Sequence, residues 1–303
     1  MNLQNENTQE ITLRELIDLF FSKWKFISAI TLFFAIISIV YSISLPNIYT
    51  SKALLSKTNN DQSAMGMLSQ FSGMASLAGI SLPTDSGDRS IEAIEKVRSF
   101  EFFNNNFLPY INLHDLLATD DWDHETNTLI YDEKSYDSKK NQWIREVSYP
   151  KKTIPSAQEA YKTYKAIMNI SQDVKTSFIS LTVEHHSPYI AKEWADTIIS
   201  EINNNMREKD KISALKSIDF LNNQLPTVNY AEVREAISKL QQEQMKQLML
   251  IESNEDYILT VLDSPYASEL KSSPNRALIC MLITIFGFMA SLLMVVYRNS
   301  RQQ

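Results

Sequence analysis

The sequence predicts an α+β domain with a long protruding helical hairpin, anchored by two transmembrane helices. Three observations predict it. Two charge-free apolar runs lie near the ends of the 303 residues. Between them, a stretch of 38 residues from Pro188 to Leu225 holds no further Pro and no Gly, as a very long helix requires. Segments such as Phe178–Val183 alternate apolar and polar residues, the period of a half-buried strand.

The apolar runs come first. No residue between Lys25 and Lys52 is charged, and none between Arg276 and Arg298. Within them, residues 26–45 and 277–297 are apolar stretches of the length a bilayer-crossing helix needs, about 20 residues. Trp24, Tyr41 and Tyr297 stand where interfacial aromatics anchor a span. A buried core helix is the alternative for the second run, although core helices are rarely apolar on every face. A cleaved signal peptide is the alternative for the first, with Ser42-Ile-Ser44 as a possible cleavage site. Two spans place both termini on one side. Arg14, Lys23 and Lys25 before the first span, against Lys52 and Lys57 after it, favour cytoplasmic ends weakly. The second span gives a tie, Lys271 and Arg276 against Arg298 and Arg301. The predicted layout is a cytoplasmic segment 1–25, a span 26–45, a periplasmic domain 46–276, a span 277–297 and a cytoplasmic tail 298–303.

Composition narrows the function classes. A net charge of −7 argues against a nucleic acid partner, whose phosphates need clustered Lys and Arg. One cysteine, Cys280, excludes an intramolecular disulfide. Four of the five glycines fall in 66–87, and no residue between Asp61 and Asp85 is charged; this Met- and Ser-rich stretch reads as a loop or as a contact surface. Tyr49–Leu55 reads as a strand leaving the membrane. The apolar spacing of 90–108 is helical, and 119–150 reads as loop and short turns. A helix is predicted over 156–170, where Ser156 and Glu159 form a capping box.

In the long element, Ser187 is the N-cap candidate and Pro188 suits the first helical position. At 1.5 Å per residue the helix 188–225 is about 57 Å long. Arg207-Glu-Lys-Asp-Lys211 is charged on all faces, which predicts that the helix projects into solvent there. Pro226 ends it. Asn229 and Glu232 pair as a second cap, and a helix over 229–252 returns antiparallel. A strand over 257–262 follows and leads back toward the membrane.

Motifs for chemistry are missing. No G-x-x-x-x-G-K-[ST] phosphate cradle is present. His185 and His186 are adjacent on a strand and point to opposite faces, which is poor metal geometry. Asp121, Asp123, His124 and Glu125 read as a solvated acidic loop. The expectation is no catalytic residue, no cofactor and no metal.

The residues do resemble a family. Ile11-Thr-Leu-Arg-Glu-Leu16 before Trp24-Lys25 is similar to the cytoplasmic lead of Wzz-type chain-length determinants, the kinase-free polysaccharide co-polymerases. So are Pro46-Asn-Ile-Tyr-Thr-Ser-Lys-Ala-Leu-Leu55 and the loop at 73–80. Ser187-Pro188, Ala191-Lys192, Trp194, Asn203, Arg207 and 214–221 resemble the family's long-helix segment. Residues 263–267 and Pro274-Asn-Arg276 resemble its proline-rich lead into the second span, with Leu270 where a further proline is usual. The resemblance implies a mixed base near the inner membrane of a bacterium, a long helix above it, and a homo-oligomeric ring. It also implies a Wzy-type polymerase and the growing polysaccharide as partners, and control of lipopolysaccharide O-antigen length without catalysis. The alternative is a co-polymerase or export component for capsule or exopolysaccharide. The candidate partner or helix-packing positions are Gly287, Ser291, Pro274, Arg276 and Pro265. Gly287 and Ser291 share one face of the second span, where small residues let another helix approach.

Overall fold

The computed structural model describes residues 22–58, 89–227, 230–253 and 256–300. The expected lead Ile11–Leu16, the loop 66–87, Asn229 of the second cap and Arg301 lie outside the described residues. Two units form, one from the terminal segments up to Asn47 and from Ser272, the other from Ile48–Lys271.

The first unit is a pair of helices, α1 (Trp24–Ser44) and, at the end of the chain, α7 (Arg276–Ser300). Leu32, Phe33 and Ile36 on α1, and Phe286, Leu293 and Met294 on α7, are each more than half exposed. A core helix buries such residues, whereas a helix in lipid leaves them on its surface. The bare faces and the length of both helices suit membrane anchors. What the pair does bury is small: Ser38 and Ser42 on α1, Gly287 and Ser291 on α7, with Ile27 and Val295. A cleaved leader in place of α1 would leave the buried stripe of α7 without a partner.

The second unit is built on a four-stranded antiparallel sheet in the order β6-β7-β1-β8. These are β1 (Tyr49–Lys57), β6 (Met168–Gln172), β7 (Ile179–His185) and β8 (Leu259–Asp263). In β7 every second side chain, Ile179 to His185, is buried, so one face packs on the core. Helix α2 (Arg89–Arg98) is followed by a run of irregular turns over Phe100–Tyr110, then α3 (Leu113–Leu117). Phe102, Phe103 and Phe107 from those turns fill the core beside Tyr164 of α4 (Ala157–Ile167). The hydroxyl of Tyr164 donates to the Val97 carbonyl at 2.9 Å, so its polar end is satisfied within the core.

Helix α5 (Pro188–Gln224) lies over this core with Ala191, Trp194, Ala195, Ile198, Ile202 and Met206 inward, the spacing of one helical face. Its N-cap Ser187 makes no side-chain capping bond. Helix α6 (Ala231–Ser253) runs back against it. Lys211 meets Glu252 at 2.6 Å and Gln241 donates to Asn222 at 2.8 Å, so the two helices are antiparallel in constant register.

Three expectations are corrected. The helix expected over 156–170 stops at Ile167, and Met168–Gln172 is a strand, because its alternating Met168 and Ile170 pair with β7. Ser156 caps α4 through the Glu159 N–H at 3.3 Å. The Glu159 carboxylate, however, turns to Arg145 at 2.7 Å instead of closing the box, and the guanidinium holds it below the usual carboxylate range. Residues 119–150 hold two small hairpins, β2 (Thr119–Asp123) with β3 (Thr128–Tyr131), and β4 (Tyr136–Asp137) with β5 (Gln142–Trp143). Third, the charged turn at 207–211 is not a bare solvated face. Asp210 takes Arg89 of α2 and the Tyr257 hydroxyl, the latter at 2.7 Å; Lys209 pairs with Glu92 of α2, and Lys211 with Glu252. The helix does leave the apolar core here, but charges supplied by distant segments receive it.

Candidate functional site

The candidate sites are helix contacts and surfaces. In the membrane pair, Gly287 lies directly on Phe34 of α1. A Cβ added at Gly287 would stand 2.5 Å from Phe34 Cβ and 2.6 Å from its Cγ. Ser291, one turn on, is buried, and its hydroxyl donates back to the Phe288 carbonyl at 2.6 Å. The thiol of Cys280 points at the Ser38 carbonyl, 3.7 Å away. Arg276 at the head of α7 donates to the Leu45 carbonyl at 3.1 Å and to Asn47 Oδ1 at 3.2 Å, fastening the two helix ends together. Pro274 follows a cis Ser273–Pro274 bond just before α7. Thus Gly287, Ser291 and Arg276 all take part in the α1–α7 contact. Pro265 is buried in the other unit and is not brought together with them. Phe34, Ser38 and Ser42 are partners that the sequence reading missed. Ser38 and Ser42, spaced four apart like Gly287 and Ser291, were the available signal.

In the second unit the distal half of the hairpin carries exposed apolar side chains among its polar ones. Beyond Lys211 only Ala214 of α5 and Ile237 and Ile251 of α6 are buried among the described residues. Leu215, Val233 and Leu240 face outward, with Phe220 at 61% and Met249 at 64% exposed. A two-helix hairpin has no further layer to cover such residues.

The base of α5 is held by polar groups. Asn203 is buried and bonds three backbone groups where the chain enters β8: its Nδ2 donates to the Leu259 carbonyl at 2.9 Å, and its Oδ1 accepts from the N–H groups of Ile258 and Leu259 at 2.9 and 3.0 Å. His185, at the end of β7, joins α5 to α3. Its Nδ1 accepts the Ser187 N–H at 3.0 Å, so the proton sits on Nε2, which donates to the Asp115 carbonyl at 3.0 Å. It is not paired with His186 for metal binding. Among the described residues no group of three or more His, Cys, Asp or Glu could hold a metal ion. Asp123 instead closes its own turn, accepting from the Glu125 N–H and the Thr126 hydroxyl.

Burial lowers the His185 imidazole from 6.5 to about 4. The unfolded chain therefore takes up a proton near pH 6.5 and the folded one only near pH 4. The stabilisation is complete above pH 6.5 and is lost as the pH falls toward 4. We expect the urea midpoint of the detergent-solubilised protein to drop between pH 7 and pH 5, and His185→Gln to flatten that drop. Equal slopes for the two proteins would show that His185 does not contribute.

Residues 9–99 match the family model described as Wzz, chain length determinant protein. No curated protein matches the chain. Among solved structures it is similar to a full-length bacterial polysaccharide co-polymerase, at 13% identity and a TM-score of 0.42, over 96% of this chain and 98% of that one. It is also similar to a fragment of WzzB, a polysaccharide co-polymerase from Salmonella Typhimurium, at 15% identity and a TM-score of 0.30, over 75% of this chain and 100% of that one. Neither likeness carries a function to this chain. The family match covers the lead, α1, β1 and α2, about a third of the chain, and that segment is similar to the Wzz-type chain length determinants.

Proposed function

We propose that this protein sets the preferred length of a bacterial surface polysaccharide, the O antigen of lipopolysaccharide, in concert with a Wzy-type polymerase. The match of residues 9–99 to the chain length determinant family carries this reading. In it, α1 and α7 cross the inner membrane, the unit from Ile48 to Lys271 stands in the periplasm, and the protein forms no covalent bond itself. The exposed apolar side chains of the α5–α6 hairpin suit a neighbour of the same kind. Leu215, Phe220 and Met249 on one copy would be covered by the hairpin of the next, and a head-to-tail contact repeated with rotation closes into a ring. Gly287 and Ser291 hold α7 against α1, which leaves the outer faces of both helices to meet the polymerase.

The test is a lipopolysaccharide gel of a strain lacking the gene. The expected result is loss of the modal band cluster and a ladder that decays smoothly with length, restored by the wild-type gene. An unchanged ladder together with an altered capsule would refute the O-antigen assignment and move the protein to capsule or exopolysaccharide.

A further inference from the structure

Three aromatic rings from three separate elements meet at one end of the central sheet. Tyr49 opens β1, Trp122 belongs to β2, and Tyr189 is the second residue of α5. Trp122 stands edge-on to both tyrosines, with ring centroids 5.5 Å from Tyr49 and 6.0 Å from Tyr189. Tyr189 is 54% exposed, and the other two rings are half-buried. Topology makes this end of the sheet a particular one. Tyr49 pairs with His185, so the start of β1, the end of β7 and the N-terminus of α5 lie together. It is the end at which the chain arrives from α1.

The chain allows little distance there. Helix α1 ends at Ser44 and β1 begins at Tyr49. Even fully extended, that connection spans at most about 18 Å. If α1 crosses a bilayer, Tyr49 is held within that distance of the helix end, and the polar headgroup layer itself occupies roughly 5–8 Å on each side. Amphipathic rings are what that layer prefers: their flat bodies suit the acyl boundary and their polar atoms suit water. We infer that Tyr49, Trp122 and Tyr189 form a lipid-facing foot by which the extramembrane unit rests on the headgroup layer of the bilayer. This rests on the reading that α1 and α7 span a membrane.

The groups around the rings are acidic, so the contact is one of rings and not of charge attraction. Asp121 and Asp123 spend their carboxylates locally, Asp121 on the Trp122 N–H and Asp123 on its own turn. The indole N–H of Trp122 is likewise fixed, donating to Asn127 Oδ1 at 3.0 Å, which holds the ring in place. A foot of this kind restrains the tilt of the unit on a short tether.

The test uses tryptophan quenching in the full chain, in nanodiscs of phosphatidylcholine brominated toward the headgroup end of its acyl chains. The variant Trp24→Phe/Trp143→Phe keeps Trp122 and the buried Trp194. Subtracting the emission of the same variant with Trp122→Phe isolates Trp122. We expect the Trp122 emission to fall to less than half in brominated bilayers. Undiminished emission, while a variant keeping Trp24 is quenched, would overturn the foot and leave the spans standing. If Trp24 is not quenched either, the spanning reading has failed and the foot falls with it. Undiminished emission in lipid that shifts when a soluble oligosaccharide is added would also overturn it, assigning the rings to a sugar.

Discussion

Gly287→Leu should separate the two membrane helices without unfolding the extramembrane unit, and under the proposed function it should change the modal length of the polysaccharide. The reason is geometric. The atom that a new side chain meets first is Phe34 Cβ, at 2.5 Å, and a Cβ is fixed to its backbone and cannot swing aside. The helices themselves must move, at a cost of about 1–3 kcal/mol for an overpacked contact. In lipid, van der Waals contact between closely approaching helices is most of what holds them together, so little remains to resist the separation. Cys280 provides a direct readout. Its thiol lies 3.7 Å from the Ser38 carbonyl, so Ser38→Cys should cross-link to Cys280 on mild oxidation. Gly287→Leu should cut that yield severalfold, and Gly287→Ala should already reduce it. Phe34→Gly should restore the yield to Gly287→Ala, whereas Phe34→Ala should not, because it keeps the offending Cβ. Equal yields in all of these backgrounds would show that the Gly287 face does not bear on α1.

Asn203→Leu should be the most destabilising single change in the extramembrane unit. The amide stands in for a missing strand: β8 is an edge strand, and Asn203 satisfies the N–H and the carbonyl of its first residue, Leu259, and the N–H of Ile258 just before it. Leucine would fit the apolar surroundings yet leave three backbone groups buried without partners, at about 1–3 kcal/mol each before relaxation. We expect a loss of about 3–5 kcal/mol in urea unfolding. The neighbouring Asn204 is exposed, and Asn204→Leu should stay within about 0.5 kcal/mol of wild type. A similar small loss for both would remove Asn203 from this role.

The sequence displayed those features that depend on local pattern. Charge-free runs mark α1 and α7 because lipid tolerates no charge over that length. The Pro- and Gly-free stretch after Pro188 marks α5, and the alternation up to His185 marks β7. Where two patterns overlap the reading slipped: Met168 continues the helical spacing of Ala160 and Tyr164, yet with Ile170 it also gives the alternation of a strand, and only pairing with β7 decides between them. Partners remote in sequence were invisible. Nothing near Asp210 indicates that Arg89 and Tyr257 will meet it, so a charged turn looked like a solvated one. Of the candidate site, the small-residue face of α7 was legible from spacing, but its counterpart Phe34 was not. A large ring opposite a glycine leaves no periodic trace in either helix.

The placement of β1 also governs how the chain acquires its fold. β1 is an interior strand, with β7 on one edge and β8 on the other, yet it is made long before either: it begins at Tyr49, while its neighbours begin at Ile179 and Leu259. As the chain lengthens from its N-terminus, both edges of β1 stay open until most of the protein exists, and the first sheet contacts must close very large loops. An unpaired strand of this kind is a template for pairing with another chain. Until β7 and β8 arrive, the open edges of β1 are where two copies can exchange strands, and the return of β8 to β1 closes the longest loop in the sheet.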